Sequence, residues 1–373
     1  MRIAVNTRFL LPRHLEGIGL YTQEVLRRLT AMRPQDEFIF FFDRPWQEQY
    51  LFNKNVQPVV LHPPARHPVL WYLWFEWSVA RALRKYRADL FFSPDGYLSL
   101  RSDTPVIMTL HDLAYLHYPE QMPRSVYYYY RHFIPRYLQR ADHILAVSDY
   151  TKQDTIKNFK IPEEKIKITC NGVREAFAKH PSDREAELRA VRKKFSEGKP
   201  FFLYVGALHP RKNVPALIRA FELFKAQTGA PHLLLLTGRK AWMTAEIENA
   251  LAAARHKNDI RFTGYLTEKE LPPLMRAAFA LTYVSFFEGF GVPLLEAMHS
   301  ETPIITSQAS SMPEVAGPAA LYADPHSPES IARAMRQLHE KPTLRQKLIE
   351  AGTEQRRRFS WEQAARDLNQ MIG

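Results

Sequence analysis

The chain has 373 residues, enough for about two domains of roughly 150 residues each. Hydrophobic residues make up 46% and charged residues 24%, ordinary globular usage, so each half can bury a core. A single cysteine, Cys170, excludes an intramolecular disulfide and fits a reducing, cytoplasmic setting, while the net charge of +12 leaves nucleic acid, an anionic membrane surface and an anionic small substrate open as partners.

In chain order, Met1 to Val5 reads as a first strand and not as a signal peptide, because no long apolar run follows. No stretch reaches the roughly 18 apolar residues of a membrane-spanning helix. Strands are expected at Arg2–Asn6, Phe38–Phe42, Leu90–Phe92, Val106–Leu110 and His143–Val147. Helices are expected at Leu20–Met32, Leu70–Arg87, Arg124–Gln139 and Tyr150–Phe159. Short, nearly continuous apolar runs suit parallel strands covered on both faces. Their alternation with helical segments implies βαβ units.

A polar, charged stretch, Arg174–Gly198, then reads as a linker and a helix. The pattern restarts with strands at Pro200–Val205, Leu233–Thr237, Ile260–Phe262, Ala280–Tyr283 and Pro303–Thr306. The expected fold is α/β, with two doubly wound, Rossmann-like parallel sheets. Such sheets bind ligands beyond the carboxyl ends of their strands, so a cleft between two domains is the expected site. The tail, Ser360 to Ile372, reads as a last helix.

The chemistry concentrates in strand-to-helix corners. In Phe287-Glu288-Gly289-Phe290-Gly291-Val292-Pro293-Leu294-Leu295-Glu296, Pro293 suits a first helical turn, so Glu288 lies in the preceding loop and Glu296 on the helix. Glycine lets backbone amides approach a ligand, and amides at a helix start favour an anion. Carboxylates beside them favour hydroxyl groups that donate hydrogen bonds. Phosphate and sugar hydroxyls in one corner describe a nucleotide sugar. The plain alternative is a glycine turn with two surface glutamates.

In Gly206-Ala207-Leu208-His209-Pro210-Arg211-Lys212-Asn213, two cations follow a strand and precede a helix over 214–226, with Asn213 as its expected cap. Arg211 and Lys212 suit a leaving diphosphate, and a basic surface loop is the bland reading. Glu16-Gly17-Ile18-Gly19 opens the first helix but lacks the third glycine of a dinucleotide fingerprint. His111-Asp112 follows a strand, at a carboxyl end. A metal role for it would need partners at ligand spacing, and a structural histidine is the simpler reading. The chain has no Asp-x-Asp motif. Ser148 to Lys152 reads as a helix cap, and Asn171-Gly172-Val173 as a turn at the domain border.

Taken in order, these motifs resemble the retaining glycosyltransferases of family four, and the likeness covers nearly the whole chain. It runs from the Gly17/Gly19 loop through His111-Asp112, Ser148, Asn171-Gly172-Val173, Gly206 with Arg211-Lys212 and Glu288 with Glu296 to Ser311-Met312-Pro313-Glu314-Val315-Ala316-Gly317. The resemblance implies the GT-B fold, with an acceptor-binding domain over 1–175 and a nucleotide-sugar domain over 176–356. It also implies that the last helix, within 357–373, packs back on the first domain.

By the same resemblance, Glu288 with the Phe290 and Gly291 amides and the Val292 helix start would bind the donor sugar and its phosphate. Glu296 would bind the ribose, and Arg211 and Lys212 would neutralise the diphosphate. Gly17 and Gly19 would let the first helix's N-terminus approach the same phosphate, Gly206 would belong to the nucleotide-sugar site, Gly238 would lie near the base, and His111 would lie beside the sugar. No cofactor or divalent metal is implied beyond a GDP- or UDP-sugar donor. The Gly-Ile-Gly loop, with His111-Asp112-Leu113 and Tyr118-Pro119-Glu120, resembles mannosyltransferase-like members.

Two aromatic, basic stretches remain. Trp71 to Arg87 and Arg124 to Arg140 read either as core helices with charged outer faces or as a contact with an anionic membrane, the latter placing the protein at the inner face of the membrane. A sugar-nucleotide epimerase is the alternative enzyme. A nucleic-acid-binding protein would need reading or stacking modules, and no known motif of that kind is present, so no nucleic acid is expected.

Overall fold

The computed structural model describes residues 1–11, 15, 17–239 and 245–373. Glu16, part of the first glycine loop, lies outside them. The chain divides into two compact units, Met1–Gly172 with Ser360–Gly373, and Val173–Phe359.

The first unit holds an all-parallel sheet of seven strands: β1 (Arg2–Asn6), β2 (Glu37–Phe42), β3 (Val56–Val60), β4 (Leu90–Ser93), β5 (Val106–Leu110), β6 (His143–Ala146) and β7 (Ile166–Ile168), in the order β3-β2-β1-β4-β5-β6-β7. Ile3, Ala4, Val5, Phe91, Phe92 and Met108 are fully buried, as strands covered on both faces require. The second unit repeats the plan with β8 (Phe201–Val205), β9 (Leu233–Thr237), β10 (Ile260–Gly264), β11 (Ala280–Tyr283), β12 (Ile304–Ser307) and β13 (Ala320–Ala323), ordered β10-β9-β8-β11-β12-β13. In both sheets the winding reverses beside the first strand, between β1 and β4 and between β8 and β11. The carboxyl ends there are the topological switch points at which doubly wound sheets bind ligands.

Three strands were not foreseen, β3, β7 and β13, and all are sheet edges. Val56–Val60 contains Pro58, which an edge strand tolerates because its missing N–H leaves no ladder bond unmade there. Ile166–Ile168 is only three residues long. The single helix expected over Leu70–Arg87 is instead Pro68–Leu73, a π-helical stretch Trp74–Val79 and Ala80–Lys85. The widened turn carries Glu76 inward, where its carboxylate accepts from the Leu100 amide at 3.1 Å.

The last helix, Trp361–Ile372, is capped by Ser360 and buries Trp361, Ala364, Leu368 and Ile372 in the first unit, in one core with Leu20, Tyr21 and Val25. Gly172 makes room for it: a Cβ there would lie 2.5 Å from the Trp361 nitrogen. Arg28 pairs with Glu362 at 2.7 Å on the same seam.

In the second unit His232 packs against the rings of Phe202, Phe224, Phe279 and His339, and neither of its ring nitrogens has a hydrogen-bond partner. Burial first, then the neighbouring His339, Lys225 and Arg345, push its pKa down to about 3. The folded state therefore refuses a proton that the unfolded chain accepts. The sign follows from linkage: this site's contribution is complete above the unfolded histidine pKa near 6.5 and is lost as pH falls from there toward 3. Thermal melts of His232→Phe should show a smaller loss of Tm between pH 7 and pH 4 than the parent chain; parallel curves would disprove the assignment.

Candidate active site

The loops after β8 and β11 flank the switch point of the second unit, and the loop after β9 packs against the first of them. After β8 the chain turns at Gly206 (φ 149°), and after β9 at Gly238 (φ 148°). The loops interlock so tightly that a Cβ on Gly238 would lie 1.9 Å from the Gly206 carbonyl oxygen. The Leu208 amide then donates to the Arg239 carbonyl at 3.0 Å. A single turn, Pro210–Lys212, presents Arg211 and Lys212, with the Arg211 amide donating to Nδ1 of His209 at 3.2 Å.

Asn213 does not cap the following helix, Val214–Thr228, through its side chain as expected. Its backbone is left-handed (φ 57°), which aims the amide away from the helix start. Nδ2 donates instead to the carbonyls of Val284 (3.1 Å) and Pro325 (2.6 Å). The Phe286 amide donates to the Arg211 carbonyl at 2.9 Å. These bonds tie the turn after β8 to the turn after β11.

Glu288 sits where the loops meet, with only 7% of its surface exposed. Lys212 Nζ donates to Glu288 Oε1 at 2.5 Å and to the Tyr283 hydroxyl at 2.7 Å. The Tyr283 hydroxyl donates to the same Oε1 at 2.9 Å. Burial alone would raise the Glu288 carboxyl, but the charges of Lys212 and Arg211 and the Lys212 hydrogen bond outweigh it and hold the group below the usual carboxylate range. The site thus keeps a buried, ionised carboxylate beside two cations.

Hydroxyl groups from the β12 side staple the loop. Thr306 Oγ1 donates to the Tyr283 carbonyl at 2.7 Å and Ser307 Oγ to that of Ser285 at 2.6 Å. Ser311 Oγ donates to the carbonyls of Glu288 (2.9 Å) and Phe290 (3.0 Å), and the Glu288 amide donates to Ser310 Oγ at 2.9 Å. Gly291 (φ 96°) then opens the helix Val292–His299. The amides of Phe290, Gly291 and Val292 take no hydrogen-bond partner among the described residues, leaving donors at a helix start where an anion is favoured.

Glu296, on that helix, is 2% exposed. Its Oε1 accepts from both Nε (2.9 Å) and Nη2 (2.7 Å) of Arg174. Burial raises the Glu296 carboxyl and the Arg174 charge offsets only part of that. The other oxygen, Oε2, accepts no hydrogen bond among the described residues and can receive a hydroxyl.

The first unit holds the remaining expected residues. His111 follows β5, and its Nε2 lies 2.7 Å from the Pro94 carbonyl. A carbonyl only accepts, so Nε2 carries the proton and Nδ1 presents a lone pair. Burial lowers the ring's pKa, which favours the neutral form, and Tyr21 packs against it edge-on at 5.1 Å. Gly17 and Gly19 lie in the first turn of the helix Gly17–Met32. Gly19 has a packing reason of its own, since a Cβ there would come within 2.6 Å of the Phe9 carbonyl oxygen; Gly17 faces open space.

One unit therefore brings together Gly206, Arg211, Lys212, Gly238, Glu288, Phe290, Gly291, Val292 and Glu296, while Gly17, Gly19 and His111 belong to the other. Sequence reasoning missed Arg174, Tyr283 and Ser310, and quoted Ser311 in a motif without giving it a role. Tyr283 was legible as the last residue of a strand that feeds the site. Arg174 pairs across 122 positions and carries no local signal.

The chain is similar to known proteins over most of its length. The description "Glycosyltransferase Family 4" matches residues 15–177, and "Glycosyl transferases group 1" matches residues 186–355. The chain is 31% identical over 362 residues to the O-antigen chain mannosyltransferase B of Escherichia coli, covering 93% of each protein. The chain belongs to glycosyltransferase family 4. It is a hexosyl-transferring enzyme with the GT-B fold of two parallel-sheet α/β domains. The O-antigen chain mannosyltransferase RfbU of Salmonella typhimurium is 30% identical, with 74% of this chain and 72% of that one covered. Among solved structures, HepE of Anabaena, crystallised with UDP and glucose, superposes with a TM-score of 0.77 at 16% identity over 99% of this chain and 98% of that one.

Lys212→Met should strand the buried carboxylate. The expected results are a stability loss of about 3 kcal/mol and an acid limb of the kcat/KM profile moved to higher pH, because Glu288 loses the charge that keeps it ionised. Lys212→Met with Glu288→Gln should recover most of the stability and none of the activity. A double variant no more stable than the single one would show that the pair is not the source of the cost.

Proposed function

We propose that this family 4 enzyme transfers a hexose, mannose in the favoured reading, from a GDP- or UDP-sugar to a glycan or lipid-linked acceptor in cell-surface polysaccharide synthesis. The observation that carries the proposal is the Lys212–Glu288–Tyr283 cluster beside three unengaged amides. It pairs groups for sugar hydroxyls with groups for an anion. The O-antigen mannosyltransferases among its relatives support the sugar and the process.

In this reading the amides of Phe290, Gly291 and Val292 and the cations Arg211 and Lys212 hold the donor diphosphate. Glu288 accepts hydroxyls of the donor sugar, and Oε2 of Glu296 accepts a ribose hydroxyl. Gly206 and Gly238 shape the floor of this nucleotide site, next to the base. In the first unit, His111 presents Nδ1 as an acceptor for a hydroxyl, and Gly17 and Gly19 stand at a helix start of the kind that favours an anion.

Transfer breaks the bond between the anomeric carbon and the phosphate oxygen and forms one to the acceptor oxygen on the same face. The acceptor proton passes to the departing phosphate, so configuration is retained without a protein nucleophile. Fixed donors at the leaving group act where charge develops most. Two cations already at the phosphate make a divalent metal unnecessary in this scheme. Removing one such donor group typically costs about a hundredfold or more in kcat.

Purified protein incubated with a panel of nucleotide sugars in the presence of EDTA should show a thermal shift and slow nucleotide release with one donor, and Arg211→Ala should lose turnover by about a hundredfold. Absence of any donor-specific shift would overturn the reading, and conversion of the sugar nucleotide with no acceptor present would indicate an epimerase.

A further inference from the structure

The two aromatic, basic stretches fold into something neither simple reading describes. Most of their rings are core: Trp74, Phe75, Tyr129 and Tyr137 are buried, and Trp71 stacks edge-on against Tyr129 at 5.3 Å. A second set points outward. Val69 is 63% exposed, Leu73 38%, Trp77 51% and Tyr128 62%. Val69, Leu73 and Trp77 recur every fourth residue along Pro68–Lys85. Four residues overshoot an α turn and undershoot a π turn, so the π-helical stretch at Trp74–Val79 keeps the three in one row. Arg81 continues the row, and Arg84 and Lys85 flank it, all exposed.

The neighbouring helix, Arg124–Arg140, meets the first through Tyr72 and Phe133, 5.9 Å apart. It adds exposed Tyr128, with exposed Arg124, Arg131 and Arg136 on the same helix. Arg101 lies over the Trp77 ring at 4.3 Å. Across residues 66–87 and 124–140 the sole carboxylate is Glu76, which is buried and turned toward Leu100. No helix among the described residues is long and apolar enough to cross a membrane.

The geometry points to a docking face for an anionic phospholipid bilayer, with Val69, Leu73, Trp77 and Tyr128 entering the headgroup boundary and the arginines around them meeting lipid phosphates. Exposed apolar side chains beside exposed cations match such a surface in both respects. Nucleic acid would be met by the charges but would leave the aliphatic row, Val69 and Leu73, without a counterpart. The inference rests on this surface alone and stands or falls independently of the donor assignment.

The test is flotation with vesicles of phosphatidylglycerol and phosphatidylcholine, against phosphatidylcholine alone. The intact chain should float only with the anionic vesicles, and bromolipid should quench its tryptophan fluorescence. Each surface cation is worth about fivefold in partitioning, so Arg81→Glu with Arg84→Glu should weaken flotation more than about tenfold. Arg81→Lys with Arg84→Lys should float as before. Trp77→Phe should still float but lose most of the quenching, and Leu73→Ser with Trp77→Ser should detach. All variants should retain the far-ultraviolet circular dichroism of the parent and its nucleotide release in solution. Failure of the parent chain to float, unchanged flotation of the charge-reversed variant, or binding of DNA in place of vesicles would each overturn the proposal.

Discussion

The candidate active site depends on a carboxylate that stays ionised out of water. Glu288 is buried, and in isolation it would take up a proton. Lys212 and Arg211, delivered by a different strand-end loop, prevent that. The arrangement constrains both loops at once, because a buried ion pair is tolerable only when its geometry is held. The Phe286–Arg211 backbone bond, the Asn213 amide and the hydroxyl staples from Thr306, Ser307 and Ser311 supply that holding. The free amides at the start of the helix Val292–His299 are available because the carbonyls around them are already engaged.

Doubly wound topology explains why these groups meet. Reversal of the winding between β8 and β11 leaves a crevice at the carboxyl ends, and the two loops that flank it carry the two halves of the charge pair. The interlock of Gly206 with Gly238 closes the floor beside it. A side chain at Gly238 would meet backbone, which cannot swing aside as a flexible side chain can.

Much of this was legible in the amino-acid sequence, for identifiable reasons. Central strands read clearly because burial on both faces makes them continuous apolar runs. The edge strands β3, β7 and β13 did not, since an edge has less apolar cover and Val56–Val60 even carries a proline. Glu288, Glu296, Arg211 and Lys212 stood out because glycine and proline mark strand-to-helix corners. The partners that hold them in place were harder. Arg174 and the serines after β12 act through contacts between loops far apart in the chain, and the left-handed backbone at Asn213 reversed an expectation built on local capping preference. The aromatic stretches were ambiguous for a different reason: composition does not say which ring of Tyr127–Tyr130 turns inward, and the structure divides them.

The return of the last helix to the first unit has a consequence for biosynthesis. Because Ser360–Gly373 belongs with Met1–Gly172, the second unit is an insertion within the first. Domains fold as units during synthesis, N-terminal ones first where they are complete. Here the order is inverted. The second unit is whole once Phe359 has emerged, whereas Leu20, Tyr21 and Val25 wait for Trp361, Ala364 and Leu368. Until residues 360–373 have left the ribosome, the first unit carries an open apolar seam, and a chain lacking that helix would leave the seam exposed to chaperones and proteases.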